Sequence, residues 1–183
     1  MRANMSLHSV VAVLALALAG PAPGAQTCKD NIPKTAPDSR YTTDNGTNGT
    51  VTDEHTGLTW KRCSEGQTWD DSGCDGDAAT YTWQEALQRA QAVNDGTAGN
   101  NLGHNDWRLP NKNELASLVE RACHSPAINA TIFPGTATSL YWSASLYANN
   151  SYDAWGVRFD IGAVNGRSKH DDYGYLSVRG GVR

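Results

Sequence analysis

The chain has 183 residues, of which 39% are hydrophobic and 19% charged, with a formal net charge of −4. That length suits one domain with a real core and is short for two. The acidic balance excludes a role centred on nucleic-acid phosphates, which needs clustered Lys and Arg, and weighs against sulfated polysaccharides.

Residues 1–25 open with Arg2, run through an apolar stretch at 10–19 and leave through Gly20-Pro21-Ala22-Pro23-Gly24-Ala25. The apolar run is too short to span a bilayer, which needs about 20 residues. Basic end, apolar middle and small-residue exit predict a secretory signal peptide cleaved after Ala25. The competing reading is a buried N-terminal helix. Lipid attachment at Cys28 is disfavoured, because Thr27 is not the small residue expected before a lipidated cysteine. The chain is therefore expected to be secreted, periplasmic or at the cell surface, and not to span a membrane. Loss of Arg2 would move its charge from −4 to −5.

Four cysteines, Cys28, Cys63, Cys74 and Cys123, remain in an oxidising compartment and imply two disulfides. Three pairings are possible. Cys63 and Cys74 flank a polar, Gly-containing stretch and can close a short loop, which leaves Cys28 with Cys123. A zinc site is disfavoured, because no cysteine pair has close ligand spacing.

Residues 26–40 read as an extended arm, rich in Pro, Asp and Ser, and residues 41–183 as a single domain. Asn-Gly pairs at 45–49 signal turns, and the Thr/Val alternation that follows suits a strand. His55-Thr56-Gly57 turns the chain into a second strand with Leu58 and Trp60 on one face, completing a hairpin. Residues 63–80 are acidic and Gly-rich and read as a loop. Thr82-Trp83-Gln84-Glu85 matches a capping box, and Trp83, Ala86, Leu87, Ala90 and Val93 follow at helical spacing up to about Asn94-Asp95-Gly96. A second helix is predicted after Pro110, capped by Asn111 with Glu114 in the box position. Its buried face is Leu115, Leu118, Val119 and Ala122, and it closes at Cys123.

The remainder reads as strands. They cover 140–145, then 154–160 with Trp155, Val157 and Phe159 inward and Arg158 and Asp160 outward. A turn at Gly162 leads into 164–169, and 175–179 makes a final strand. Hairpin, two helices and a run of strands define an α+β domain.

These residues carry a family pattern. It comprises Thr56-Gly57-Leu58-Thr59-Trp60-Lys61-Arg62-Cys63, Thr82-Trp83-Gln84-Glu85-Ala86 and Asp106-Trp107-Arg108-Leu109-Pro110 with Glu114-Leu115. Tyr141-Trp142-Ser143-Ala144-Ser145, Trp155 with Val157 and Phe159, and Val178-Arg179 with Val182-Arg183 complete it. In this order the set resembles the DUF1566 family, also called the Lcl C-terminal domain family, over nearly the whole mature chain. The resemblance implies a C-type-lectin-like fold related to the formylglycine-generating enzymes, with two helices packed on small antiparallel sheets. It also implies mostly bacterial, exported relatives, some of them acting in adhesion to surface glycans. The chain departs from those groups in three ways. It has no Gly-X-Y stalk, and no cysteine is left over for formylglycine chemistry. It also lacks the Glu-Pro-Asn, Gln-Pro-Asp and Trp-Asn-Asp sequences of calcium-dependent sugar sites, so that activity does not follow from fold alone.

Among candidate functional residues, Arg108 with Glu114 is expected to form a structural ion pair or to satisfy turn backbone, and Arg179 and Arg183 are expected in structural roles of the same kind. Pro110, Trp107, Trp142 and Trp155 are expected structural motif residues, and Trp60, Trp83, Trp107, Trp142 and Trp155 are expected in the core. Asp70, Asp71, Asp75 and Asp77 form one oxygen-rich stretch, and Asp44-Asn45-Gly46 with Asn48 and Asp53 another. Either offers ligands to calcium, but neither is an EF-hand, and no cofactor or metal is expected. His55, His104, His124 and His170 accompany no nucleophile elbow and no His-Glu-x-x-His motif, so the chain reads as non-catalytic. The late segments hold the better candidates for ligand binding: Tyr147, Asn149, Asn150, Tyr152, Arg158, Arg167, Lys169, His170 and Tyr173. Exposed rings there can stack on sugars while Asn and Arg supply directional hydrogen bonds. The leading expectation is a binding module for a surface glycan or protein. An envelope assembly protein without a small ligand is second, and an enzyme of unknown type third.

Overall fold

The computed structural model describes residues 26–43 and 49–180. The expected signal peptide, the turn at Asp44, Asn45, Gly46 and Asn48, and the terminal Val182-Arg183 lie outside the described residues.

Strand β1 (Thr27–Cys28) lies in the N-terminal arm, which ends in a 3-10 turn at Asp38–Arg40. A four-stranded antiparallel sheet follows from β2 (Tyr41–Thr43), β3 (Thr50–Asp53), β4 (Leu58–Lys61) and, at the chain's end, β11 (Val178–Arg179), ordered β11-β4-β3-β2. The expected hairpin is β3–β4, with Val51 opposite Trp60 and Asp53 opposite Leu58. Strand alternation turns Val51, Leu58 and Trp60 into the core, where all three are buried. It also drives Asp53 inward. That carboxylate is fully buried and is met by Arg40, with Nε 2.7 Å from Oδ1. It also accepts from His55 N–H at 3.0 Å and Thr56 Oγ1 at 2.8 Å, which builds the turn where Gly57 takes φ +69°. Asp53 is thus committed to the fold through Arg40, His55 and Thr56.

Residues 63–80, expected as a plain loop, contain a small hairpin of β5 (Thr68–Trp69) and β6 (Cys74–Asp75). The Cys63–Cys74 disulfide closes it. Helix α1 (Trp83–Asn94) starts in a full capping box, Glu85 N–H donating to Thr82 Oγ1 and Thr82 N–H to Glu85 Oε2. Ala86, Ala90 and Val93 face the core, whereas Leu87, expected to join them, is 36% exposed.

Helix α2 (Lys112–Ala116) has its expected cap, Asn111 Oδ1 accepting from Asn113 and Glu114 N–H, but is far shorter than expected. Leu118, Val119 and Ala122 are buried as the spacing requires, yet in a non-helical segment. The reason is Glu120. Its buried carboxylate takes the N–H groups of Ala36 at 2.8 Å, Ala122 at 2.9 Å and Thr35 at 3.1 Å. These bonds draw the chain off the helix axis and onto the N-terminal arm. Strand β7 (Cys123–His124) then pairs with β1, and Cys28 is disulfide-bonded to Cys123.

The third sheet is antiparallel, ordered β10-β9-β8, from β8 (Leu140–Leu146), β9 (Asp153–Arg158) and β10 (Ala163–Ser168). The final strand is shorter than the expected 175–179, because Tyr175, Leu176 and Ser177 pass through the interior before β11 forms. One core cluster gathers Trp60, Leu115, Leu118, Ile128, Phe133, Val157 and Phe159. A second gathers Ala86, Ala90, Leu109, Leu140, Trp142 and Tyr175 under α1. Trp60, Trp107 and Trp142 are fully buried core residues, but Trp83 and Trp155 are only half-buried. The described residues therefore form an α+β domain of two helices, small antiparallel sheets and two disulfides.

Candidate ligand-binding site

The pleat of the β8–β10 sheet separates the late residues, because neighbours along a strand point to opposite faces. Arg158 lies opposite Leu140 and Ala163, and Arg167 opposite Ala154, so both arginines share the face that carries Leu140 and Trp142. Trp155 lies opposite Gly166 and faces the other way. Tyr147 crosses that second face with its ring centroid 4.6 Å from Trp155. A side chain at position 166 would meet the Tyr147 ring at 2.9 Å, so glycine is required for this packing. Lys112 Nζ sits 4.8 Å from the Trp155 ring. Trp155 is therefore held between a strand end and α2 at the surface, which is why it is not fully buried.

Two grooves result. One is bordered by Thr138, Ser139, Leu140, Arg158, Asp160, Arg167 and Tyr173 and has a volume of about 300 Å³. Arg158 is forked onto Asp160, with Nε 3.0 Å from Oδ1. That carboxylate keeps the guanidinium charged and raises its pKa above the ordinary arginine value. Arg167 donates to the carbonyl of Gly166 at 3.1 Å. Tyr173 packs edge-on to Trp142 at 5.2 Å.

The other groove, of about 350 Å³, lies where the N-terminus of α1 meets the ends of β8, β9 and β10. It is bordered by Thr82, Trp83, Gln84, Ser151, Tyr152, Lys169 and His170. Trp83 is anchored by its indole N–H, which donates to Ser143 O at 2.8 Å. Lys169 Nζ lies 4.9 Å from the Trp83 ring and donates to Ser151 O at 2.7 Å. Tyr152 is 72% exposed. Its backbone is held on both sides, its N–H donating to Asn150 Oδ1 at 3.0 Å and its carbonyl accepting from Lys169 N–H at 2.9 Å. Asn150 Nδ2 also donates to Asp153 at 3.1 Å, so this residue builds the turn, while Asn149 is exposed beside it.

The nine late residues thus do not form one site. Tyr152, Lys169 and His170 share one groove, and Arg158, Arg167 and Tyr173 share the other. Tyr147 packs on Trp155, and Asn149 and Asn150 belong to the β8–β9 turn. Sequence reasoning missed Thr82, Trp83 and Gln84 as members of the first groove. Their capping-box pattern is fully explained by helix initiation, so only a sheet end arriving from residues 151–170 reveals the second use.

Elsewhere several acidic groups are engaged in structure. Arg108 forks onto Glu114 with two contacts of 2.8 Å, and Glu114 also accepts from Asn111 N–H at 2.7 Å. Burial opposes the Glu114 charge, but these bonds outweigh it and hold the carboxyl below its ordinary range. Asp106 is lowered mainly by the Arg179 side chain, 2.7 Å away. Asp70 accepts from Ser72 Oγ and from the N–H groups of Ser72 and Gly73. Among the described residues no group of three or more His, Cys, Asp and Glu side chains is placed to hold a metal ion. No helix among them is long and apolar enough to cross a membrane.

Fold and surfaces together define a disulfide-stapled α+β domain with two grooves at its late sheet. The model of the Lcl C-terminal domain family matches residues 49–179, and the chain belongs to that family. No curated protein matches the chain.

Proposed function

We propose that this chain is an exported, non-catalytic binding module that recognises a surface glycan or protein in adhesion, using the late turns and strands. The lectin-like fold implied by the family resemblance is part of this reading. The observation that carries it is Tyr152, an aromatic ring 72% exposed on a backbone fixed by hydrogen bonds from both sides. A ring presented in this way costs little conformational entropy on binding. The engagement of Asp53, Asp106 and Glu114 with arginines gives further support, since those carboxylates are assigned to structure rather than to acid–base chemistry.

A second reading, assembly in the envelope without a small ligand, is favoured by Leu146 and Ile161, which are 60% and 62% exposed. They lie near opposite ends of the β8–β10 sheet, Leu146 at the end of β8 and Ile161 in the turn after β9, and so offer two apolar tips. The test is a broad glycan array probed with the multimerised domain, with and without calcium, because single sites of this kind gain by avidity. A saturable signal is the expected result. A blank array in both conditions, together with self-association in sedimentation, would favour assembly.

A further inference from the structure

The two grooves differ in the chemistry that they leave free. In the groove at the start of α1, the one ammonium is already engaged: Lys169 Nζ donates to Ser151 O and lies against the Trp83 ring. The positive end of α1 is likewise occupied, because the Glu85 carboxylate takes the Thr82 N–H and hydroxyl. What remains are Gln84 and His170, exposed and with no side-chain partner among the described residues, and the Tyr152 phenol. A carboxamide, an imidazole and a phenol can each donate and accept. Hydroxyl groups do the same, so these three match a polyol better than an anion. The Tyr152 ring adds a flat apolar face. The volume of about 350 Å³ falls at the lower end of small-ligand sites, roughly 300–1,000 Å³.

We propose that this groove is a subsite for one uncharged pyranose ring, stacked on Tyr152 and hydrogen-bonded by Gln84 and His170, and that the Arg158–Arg167 groove takes no part in holding it. The proposal rests on the glycan reading above. It assigns Gln84, a residue of the first turn of α1, a role in selecting ligand.

The experiment uses the purified chain with both disulfides formed. It is titrated with uncharged hexose and N-acetylhexosamine oligosaccharides and, in parallel, with uronate-bearing and sulfated ones. Intrinsic fluorescence follows the six tryptophans, of which Trp83 borders the groove, and saturation-transfer NMR reports on the sugar. Tyr152→Ala, Gln84→Ala and Arg167→Ala are compared, each checked for an unchanged melting temperature. The expected result is saturable binding of an uncharged probe, weakened at least tenfold by Tyr152→Ala and severalfold by Gln84→Ala, and unchanged by Arg167→Ala. Binding of acidic probes only, lost on Arg167→Ala, would overturn the subsite while leaving the glycan reading in place. So would binding of uncharged probes that Tyr152→Ala does not weaken. Binding of no sugar at all would overturn both.

Discussion

Asp53 illustrates how a single residue's neighbours set its role. A buried carboxylate is costly unless paired and hydrogen-bonded. Here burial pushes its pKa up, but Arg40, Thr56 and the His55 N–H outweigh that and hold it below the ordinary carboxylate value. A lowered folded-state pKa means that the stabilisation is present above the unfolded pKa of about 4 and is lost as pH falls below it. Melting temperature is therefore expected to be level from neutral pH down to about 5 and to fall below about 4, and Asp53→Asn should flatten that fall. Removing Arg40 leaves the buried carboxylate without its charge partner, held only by Thr56 and the His55 N–H. Arg40→Ala is expected to lose about 3–5 kcal/mol in urea denaturation at neutral pH. Tyr152 is the opposite case. Its ring touches little, so Tyr152→Ala should change stability by no more than about 0.5 kcal/mol.

At the level of elements, local pattern and long-range contact made different contributions. The α1 capping box was legible, since Thr82 and Glu85 need only each other; Thr82→Ala should cost about 1 kcal/mol. The length of α2 was not. The apolar spacing of Leu115, Leu118, Val119 and Ala122 continues a helical period, and a buried face was correctly read from it. Whether those residues stay helical depends on Glu120, whose acceptors are filled from the arm some 84–85 residues away in sequence. Glu120→Ala would leave three backbone donors without their acceptor. It is expected to cost about 3 kcal/mol or more and to make residues 26–40 cleavable by protease, as followed by mass spectrometry. The late strands were legible from alternation, but the half-burial of Trp155 was not. It follows from Gly166, Tyr147 and Lys112 meeting at a sheet end.

Across the whole molecule, the two disulfides constrain very different lengths of chain. Cys28 and Cys123 are 95 residues apart, and Cys63 and Cys74 only 11. Loop-closure entropy gives about 4.7 kcal/mol for the first and about 2.8 kcal/mol for the second. The Cys28→Ala/Cys123→Ala variant should therefore melt lower than the Cys63→Ala/Cys74→Ala variant in calorimetry. The reverse order would show that native contacts of the β5–β6 hairpin, rather than chain entropy, dominate.

The sequence by itself determined the α+β order, both capped helix starts, the inward face of Leu58 and Trp60 and the family to which the chain belongs. Those features depend on residues close in sequence, where spacing and capping chemistry act directly. The tertiary structure decided which late residues meet. Tyr152, Lys169 and His170 join Trp83 and Gln84, while Arg158 and Arg167 point into a different groove. The physical reason is the packing of α1 against a sheet formed some 60 residues later, which brings the helix start to the chain just outside β9 and β10. No local pattern encodes that juxtaposition, and the candidate site is built from it.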